Sequence, residues 1–152
     1  MSDSTLFGVG EFDLYTEQRD LFELLSQETR HLIIQTVLGH PAHLVSLDEF
    51  EFVIQKSKPA ILDQLELLRE RGLLEQYEHP GDRKRGHPES YYGPTEFGVE
   101  VLGQYNYLRA VPVLRALYDN LTKSTKVERH EDAPRPPLPG SVHEALHFET
   151  AE

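Results

Sequence analysis

Two histidines one helical turn apart with a glutamate between them, His143-Glu144-Ala145-Leu146-His147, have the spacing of a zinc hydrolase. On a helix both imidazoles would face one way, and the Glu could act as general base on a metal-bound water. That chemistry needs a third ligand, an open coordination position and a substrate cleft, and the five residues after His147 carry no further ligand motif. The pattern is therefore read as a histidine-containing acidic tail. His40 and His43 flank Pro41-Ala42, while His79 and His87 flank a basic turn. Each pair has donors for zinc or nickel, but solvated loop histidines are the common case, and neither metal nor cofactor is assigned. There is no cysteine, which removes thiolate metal sites, disulfides and thiol-based sensing. A phosphate-binding glycine loop, a nucleophile elbow and a carboxylate pair placed for a shared cleft are all missing, so the chain does not read as an enzyme.

Positive charge is the second kind of chemistry on offer. Arg83-Lys84-Arg85 and Lys56-Ser57-Lys58 are groups suited to phosphate oxygens. The net charge of −11 opposes that use, but its distribution softens the objection. Residues 1–30 hold seven acids against two Arg, and residues 128–152 hold six against two, so nine of the eleven excess charges lie outside the middle of the chain.

The elements that must position these groups follow from periodicity and caps. Leu21, Leu24 and Leu25, with Phe22 beside them, predict a helix over Tyr15–Ser26, with Thr16 as its cap. A second runs from about Glu28 to Leu38 and stops at Gly39-His40-Pro41. Ser46 and Glu49 form a capping box for a short helix, Leu47–Ile54, and the turn Gln55-Lys56 leads to a new cap, Ser57. The Ser57 helix tolerates Pro59 in its first turn and ends at Gly72. Its buried stripe should be Ile61, Leu65 and Leu68, leaving Lys58, Pro59, Leu62 and Asp63 outward. Leu73–Glu78 and Glu89–Gly93 read as strands joined by a loop, His79–Pro88, that carries the basic triplet. Two short helices, a capped third and a basic-tipped hairpin are the sequence form of a winged helix-turn-helix.

The chain resembles the ArsR/MarR-like winged helix-turn-helix superfamily, and small haloarchaeal regulators of that type in particular. The residues concerned are Leu25-Ser26-Gln27-Glu28-Thr29-Arg30 with Ile33 and Leu38, Leu65-Glu66-Leu67-Leu68-Arg69-Glu70-Arg71-Gly72-Leu73, and Tyr91-Tyr92-Gly93-Pro94-Thr95-Glu96-Phe97-Gly98. Twenty-six acids beside five Lys and ten Arg also match the composition of proteins from salt-loving archaea, where counterion release contributes less to DNA affinity. The resemblance implies a dimeric transcription factor whose Ser57 helix enters the major groove. Lys56, Ser57, Lys58, Pro59, Ala60, Leu62, Asp63 and Gln64 would then form the reading surface, with Arg83, Lys84 and Arg85 on the wing. In that geometry Lys58 would meet a base or phosphate, Gln64 an adenine and Leu62 a thymine methyl. Asp63 and Glu66 put negative charge where phosphate should approach. The alternative is therefore a winged-helix module that binds protein and not DNA.

Beyond the hairpin, Thr95–Leu121 shows apolar steps of three and four. Val101, Tyr105, Leu108, Val111, Leu114, Tyr118 and Leu121 make a stripe for pairing with a second copy, on a helix kinked near Pro112. Folding back at the kink onto its own domain is the other arrangement. The Pro-rich stretch Ala133–Gly140 should be an extended arm, either packed or disordered.

The expected fold is mainly α with a small β-hairpin wing (α+β), a winged helix-turn-helix with a long C-terminal dimerisation helix. Its parts are an N-terminal arm (1–15), the DNA-binding domain (16–98), the dimerisation helix (99–123) and a Pro-rich acidic tail (124–152). The expected partners are double-stranded DNA and a second copy, with no membrane and no effector identified. With no export signal or bilayer-length apolar run, the cytoplasm is the expected location. The expected role is repression, since occluding a promoter needs no further surface.

Overall fold

The computed structural model describes residues 11–147, so most of the expected N-terminal arm and the last five residues of the tail lie outside the described part. Helix α1 spans Glu11–Ser26, a turn longer at its start than the spacing of its leucines indicates. Glu17 is the reason the first turns belong to the fold: it is buried and accepts a hydrogen bond from the Tyr105 hydroxyl at 2.7 Å. Helix α2, Glu28–Gly39, is capped by the Gln27 side chain, which accepts from the Arg30 backbone N–H. Helix α3 is Leu47–Ile54, with the Ser46/Glu49 capping box intact, and α4 is Lys58–Glu70, with Ser57 as its cap. Ile61, Leu65 and Leu68 are the buried stripe of α4, packed with Ile33, Val45 and Phe50 in one core.

Strands β1 (Leu74–Glu78) and β2 (Ser90–Pro94) pair antiparallel, from Leu74 opposite Pro94 to Glu78 opposite Ser90. Val45, just ahead of the α3 cap, exchanges both backbone hydrogen bonds with Tyr92 and ties the hairpin to the start of α3. Three helices and a hairpin anchored in this way are a winged helix-turn-helix, mainly helical as expected. Helix α5, Glu96–Gln104, is capped by Thr95 and lies against the lead into β1. A Cβ at Gly98 would strike the Leu73 carbonyl, so only glycine permits that approach.

The helical stretch expected over Thr95–Leu121, kinked near Pro112, is three pieces, and it takes the other arrangement, folded back on its own domain. After α5, Asn106 adopts a left-handed conformation (φ 65°), and a 3-10 turn follows over Tyr107–Ala110. Pro112 then sits in the first turn of a new helix, α6 (Val111–Asp119), where its missing N–H costs nothing. The reversal lays α6 along α2, so closely that a Cβ on Gly39 would come within 2.5 Å of the Leu114 carbonyl oxygen. Val101, Leu108 and Tyr118 are consequently buried in the chain's own core, Val111 and Leu114 pack against it, and Tyr105 is bonded to Glu17. Of the seven residues assigned to a partner, Leu121 alone stays exposed.

The Pro-rich stretch is extended over 133–139 as expected, and it forms a packed strap between two further helices of the tail, α7 (Thr125–Asp132) and α8 (Gly140–Leu146). Helix α7 packs on α3 and α8 on α5, with Val127, Val142 and Leu146 buried.

Candidate nucleic-acid interface

Gln55 ends α3 in a left-handed conformation (φ 62°), which turns the chain sharply and leaves Gln55, Lys56 and Ser57 exposed ahead of α4. Ser57 accepts from the Ala60 N–H at 3.3 Å, its carbonyl takes the Ile61 N–H at 3.0 Å, and Pro59 has no N–H, so Lys58 supplies the one backbone donor of the first turn that these bonds leave over. The helix dipole adds a partial positive charge at this end. Lys58 is drawn sideways: its ammonium lies 2.5 Å from Asp48 and 3.9 Å from Glu51 on α3. The hydrogen bond to Asp48 raises the lysine's pKa. Burial works to raise Asp48, but the Lys58 hydrogen bond and the charges of His130, Lys58 and Lys126 outweigh it and hold the carboxyl below its ordinary value. Lys58 is thus partly neutralised within the fold.

The exposed line along α4 is Pro59, Asp63, Glu66 and Glu70, with Arg69 paired to Glu66 at 3.1 Å. Two expected base readers are turned away from it. Leu62 is half-buried, packed against the core. The Gln64 carbonyl oxygen accepts from Arg30 of α2 at 3.0 Å, so that end of the amide is occupied. Ala60 is half-buried, and Asp63 stands free in an acidic stretch. Only the first turn of this helix is free of exposed carboxylates.

Positive charge comes instead from two neighbouring elements. In the loop between β1 and β2, Arg83, Lys84 and Arg85 are all exposed. Arg83 donates to the His87 carbonyl at 3.0 Å and lies 3.6 Å from Glu89. Helix α7 was not anticipated, although Ser124 as a cap with Lys126, Arg129 and His130 in the following turns is its signal. It carries exposed Lys126 and Arg129, and the Arg129 side chain lies over Gly86 of the wing loop. A cleft of about 380 Å³ separates the three elements, lined among others by Asp48, Lys58, Arg83, His87, Tyr92 and His130. His130 is fastened into its wall by Ser46 (3.0 Å) and Asp48 (3.2 Å), and burial lowers its pKa.

Beneath this surface the strap anchors α3. Arg135 donates to the carbonyls of Leu44, His130, Glu131 and Ala133 and, at 2.7 Å, to the carboxylate of Glu49. Glu49 is fully buried and also accepts from His40 (2.8 Å) and the Ser46 N–H (2.8 Å). Burial alone would raise its pKa, but the His40 hydrogen bond and charge and the Arg135 charge overcome this and hold it at about 2. The arginine also lies 4.5 Å over the Tyr91 ring, whose hydroxyl donates to the Pro134 carbonyl.

The histidines fall into separate groups. His143 and His147 stack on α8 with ring centroids 4.3 Å apart, and His43 lies 5.2 Å from His147. Among the described residues no group of three or more histidine or carboxylate side chains is arranged to hold a metal ion. No helix among them is long and apolar enough to cross a membrane.

No protein-family model matches the chain, and no curated protein matches it. Among solved structures it is similar to a protein with a GntR superfamily winged-helix-turn-helix domain from Halomicrobium mukohataei, with a TM-score of 0.74 at 17% identity. The match covers 93% of this chain and 98% of the other, so the similarity extends through the C-terminal helices as well as the wing. At that identity the likeness establishes the fold.

Proposed function

We propose that this chain is a sequence-specific double-stranded DNA-binding regulator of the ArsR/MarR-like kind, acting as a homodimer and repressing by occupying its operator. The observation that carries the proposal is the convergence of cations from three elements on the rim of one cleft: Lys58 at the start of α4, Arg83 in the wing loop, and Lys126 and Arg129 on α7. The wing and α7 would straddle phosphates while the first turn of α4 meets the groove edge. Lys56, Ser57, Lys58, Pro59, Arg83, Lys84 and Arg85 remain in the proposed contact set, and Lys126 and Arg129 join it. Leu62 and Gln64 are left out of it because of the packing and bonding described above, half-buried Ala60 for the same reason, and Asp63 because its carboxylate repels phosphate.

Dimerisation would use the apolar surface that remains once most of the stripe is buried. Val113 and Leu117 are exposed on α6 and Leu121 just after it, and Leu117 and Leu121 line an apolar groove with Leu32, Val53 and half-buried Leu114. A second copy laid there across a two-fold axis would present two wings to one duplex, with half-sites about one DNA turn apart.

The carboxylates of Asp63, Glu66 and Glu70 favour a second reading, a winged helix that receives a basic protein surface. Nuclease protection on DNA from upstream of the chain's own gene separates the two. A two-fold-symmetric protected site supports the regulator. Absence of protection by folded protein, with a protein partner retained on purification, supports the second reading.

A further inference from the structure

His79 and His87 stand at the two ends of the wing loop, as diagonal neighbours just beyond the last paired residues, Glu78 and Ser90. The backbone closes the loop beneath them: the His79 N–H donates to the Glu89 carbonyl at 3.0 Å, and the His87 N–H to the Lys84 carbonyl at 3.0 Å. The two rings lie 5.5 Å apart between centroids, and the Tyr91 ring stacks on the far side of His79 at 6.3 Å. Both ring nitrogens of His79 and Nδ1 of His87 are shut off from solvent with no hydrogen-bond partner. A neutral imidazole always has one donor and one acceptor to satisfy, and unpaired buried nitrogens are rare in folded proteins. Three such nitrogens on two adjacent rings call for an occupant.

We propose that His79 and His87 are the protein ligands of a divalent transition-metal site at the base of the wing, with water completing the coordination. Imidazole-preferring ions of the zinc, nickel and copper kind fit this donor set. Nitrogen-to-metal bonds of about 2.0–2.1 Å at a near-tetrahedral angle put two imidazole centroids about 5 Å apart, close to the separation already present. Among the described residues no third histidine or carboxylate converges on the pair, so it is an exchangeable site and not a structural one.

A metal here would cross-link the two ends of the loop that carries Arg83, Lys84 and Arg85. Bound metal would restrict the basic tip to fewer conformations, lowering the entropy cost of its contact with phosphate. That consequence rests on the regulator proposal, whereas metal binding itself does not.

The test is calorimetric titration of the full chain with Zn²⁺, in buffer without chelator, for the unmodified protein, His79→Phe, His87→Phe and His143→Phe. Phenylalanine keeps a ring in the stack and removes the ligand, and circular dichroism checks that each variant is folded. His79→Ala and His87→Ala serve if the bulkier ring disrupts the loop. The expected result is one equivalent of Zn²⁺ bound by the unmodified protein and by His143→Phe, and at least a tenfold weaker affinity in both wing variants. Affinity in either His79→Phe or His87→Phe equal to that of the unmodified protein, or no Zn²⁺ uptake by the unmodified protein, overturns the site and leaves water as the partner of the buried nitrogens. DNA titration with and without Zn²⁺ is read separately. Zn²⁺ binding without any DNA affinity overturns the regulator and keeps the metal site, while DNA binding without Zn²⁺ uptake does the reverse.

Discussion

Replacing Arg135 by methionine should be among the most damaging single changes in the chain, although the residue lies in a Pro-rich strap far from the core in sequence. Its guanidinium satisfies four backbone carbonyls and the fully buried Glu49 carboxylate. Methionine fills a similar volume and supplies no donor. Glu49 would then keep its charge in the interior with only His40 and the Ser46 N–H as partners. Removing one member of a buried ion pair costs about 3–5 kcal/mol, a large share of the about 5–15 kcal/mol that holds a domain together. For a domain of this size that is a fall in melting temperature of about 6–20 °C. Urea unfolding of Arg135→Met, Glu49→Gln and the double variant, followed by circular dichroism, measures both the loss and the coupling. In the Glu49→Gln background, where no carboxylate is left to be orphaned and Arg135 has already lost its counter-ion, the Arg135→Met change should cost at least about 1.5 kcal/mol less, because the orphaned Glu49 charge accounts for much of the penalty. A loss below about 1 kcal/mol in Arg135→Met, or an equal loss in both backgrounds, refutes the reasoning and makes the strap a passive covering.

Acid should destabilise the protein in two overlapping steps. Burial, the largest influence on His43, lowers its pKa to about 4, so its neutral form stabilises the fold above pH about 6.5 and that contribution falls as pH drops towards 4. Glu49, held at about 2, contributes stability above pH about 4.5 that is lost as pH falls towards 2. Each amounts to about 3 kcal/mol at its limit, and a His43→Asn variant, whose side chain tolerates the left-handed backbone at φ 58°, should flatten the upper part of the melting-temperature profile. Gly39→Ala should cost about 1–3 kcal/mol by driving α6 off α2, visible in the same unfolding assay. Lys126→Ala with Arg129→Ala should weaken DNA binding without changing stability by more than about 0.5 kcal/mol, as measured by fluorescence anisotropy and thermal melts.

The helix-turn-helix half of the molecule was legible because its signals are local. Ser46 with Glu49, Ser57 with Pro59, and the four-and-three spacing of Ile61, Leu65 and Leu68 each specify structure within one or two turns of helix. The strand ends expected at Leu73 and Glu89 differ by one residue from those observed at Leu74 and Ser90, the scatter usual at element ends. The region after the hairpin was misread because apolar steps of three and four continue unbroken across Tyr105-Asn106, and periodicity cannot register a reversal. Asn106, a residue that tolerates positive φ, and Pro112, which suits the first turn of a helix, together mark the break. The partners of Gln64, Leu62 and Lys58 were out of reach for a different reason. Arg30 lies 34 residues from Gln64, and nothing in the local sequence of α4 announces it. The strap followed the same rule: prolines identified its extended backbone, while the packing of Arg135 on Glu49 depends on a tertiary contact 86 residues away.

The most direct test of the regulator account is fluorescence anisotropy of labelled DNA from upstream of the chain's own gene, titrated with protein across a salt series. The unmodified chain and an Arg83→Ala, Lys84→Ala, Arg85→Ala variant are compared. Each phosphate contact adds about 0.9 to the salt slope, so removal of the three wing cations should reduce that slope by about one to three and weaken binding at every salt concentration. An unmodified, folded protein that binds no DNA even at low salt would contradict the account. So would a wing variant whose affinity and salt slope equal those of the unmodified chain.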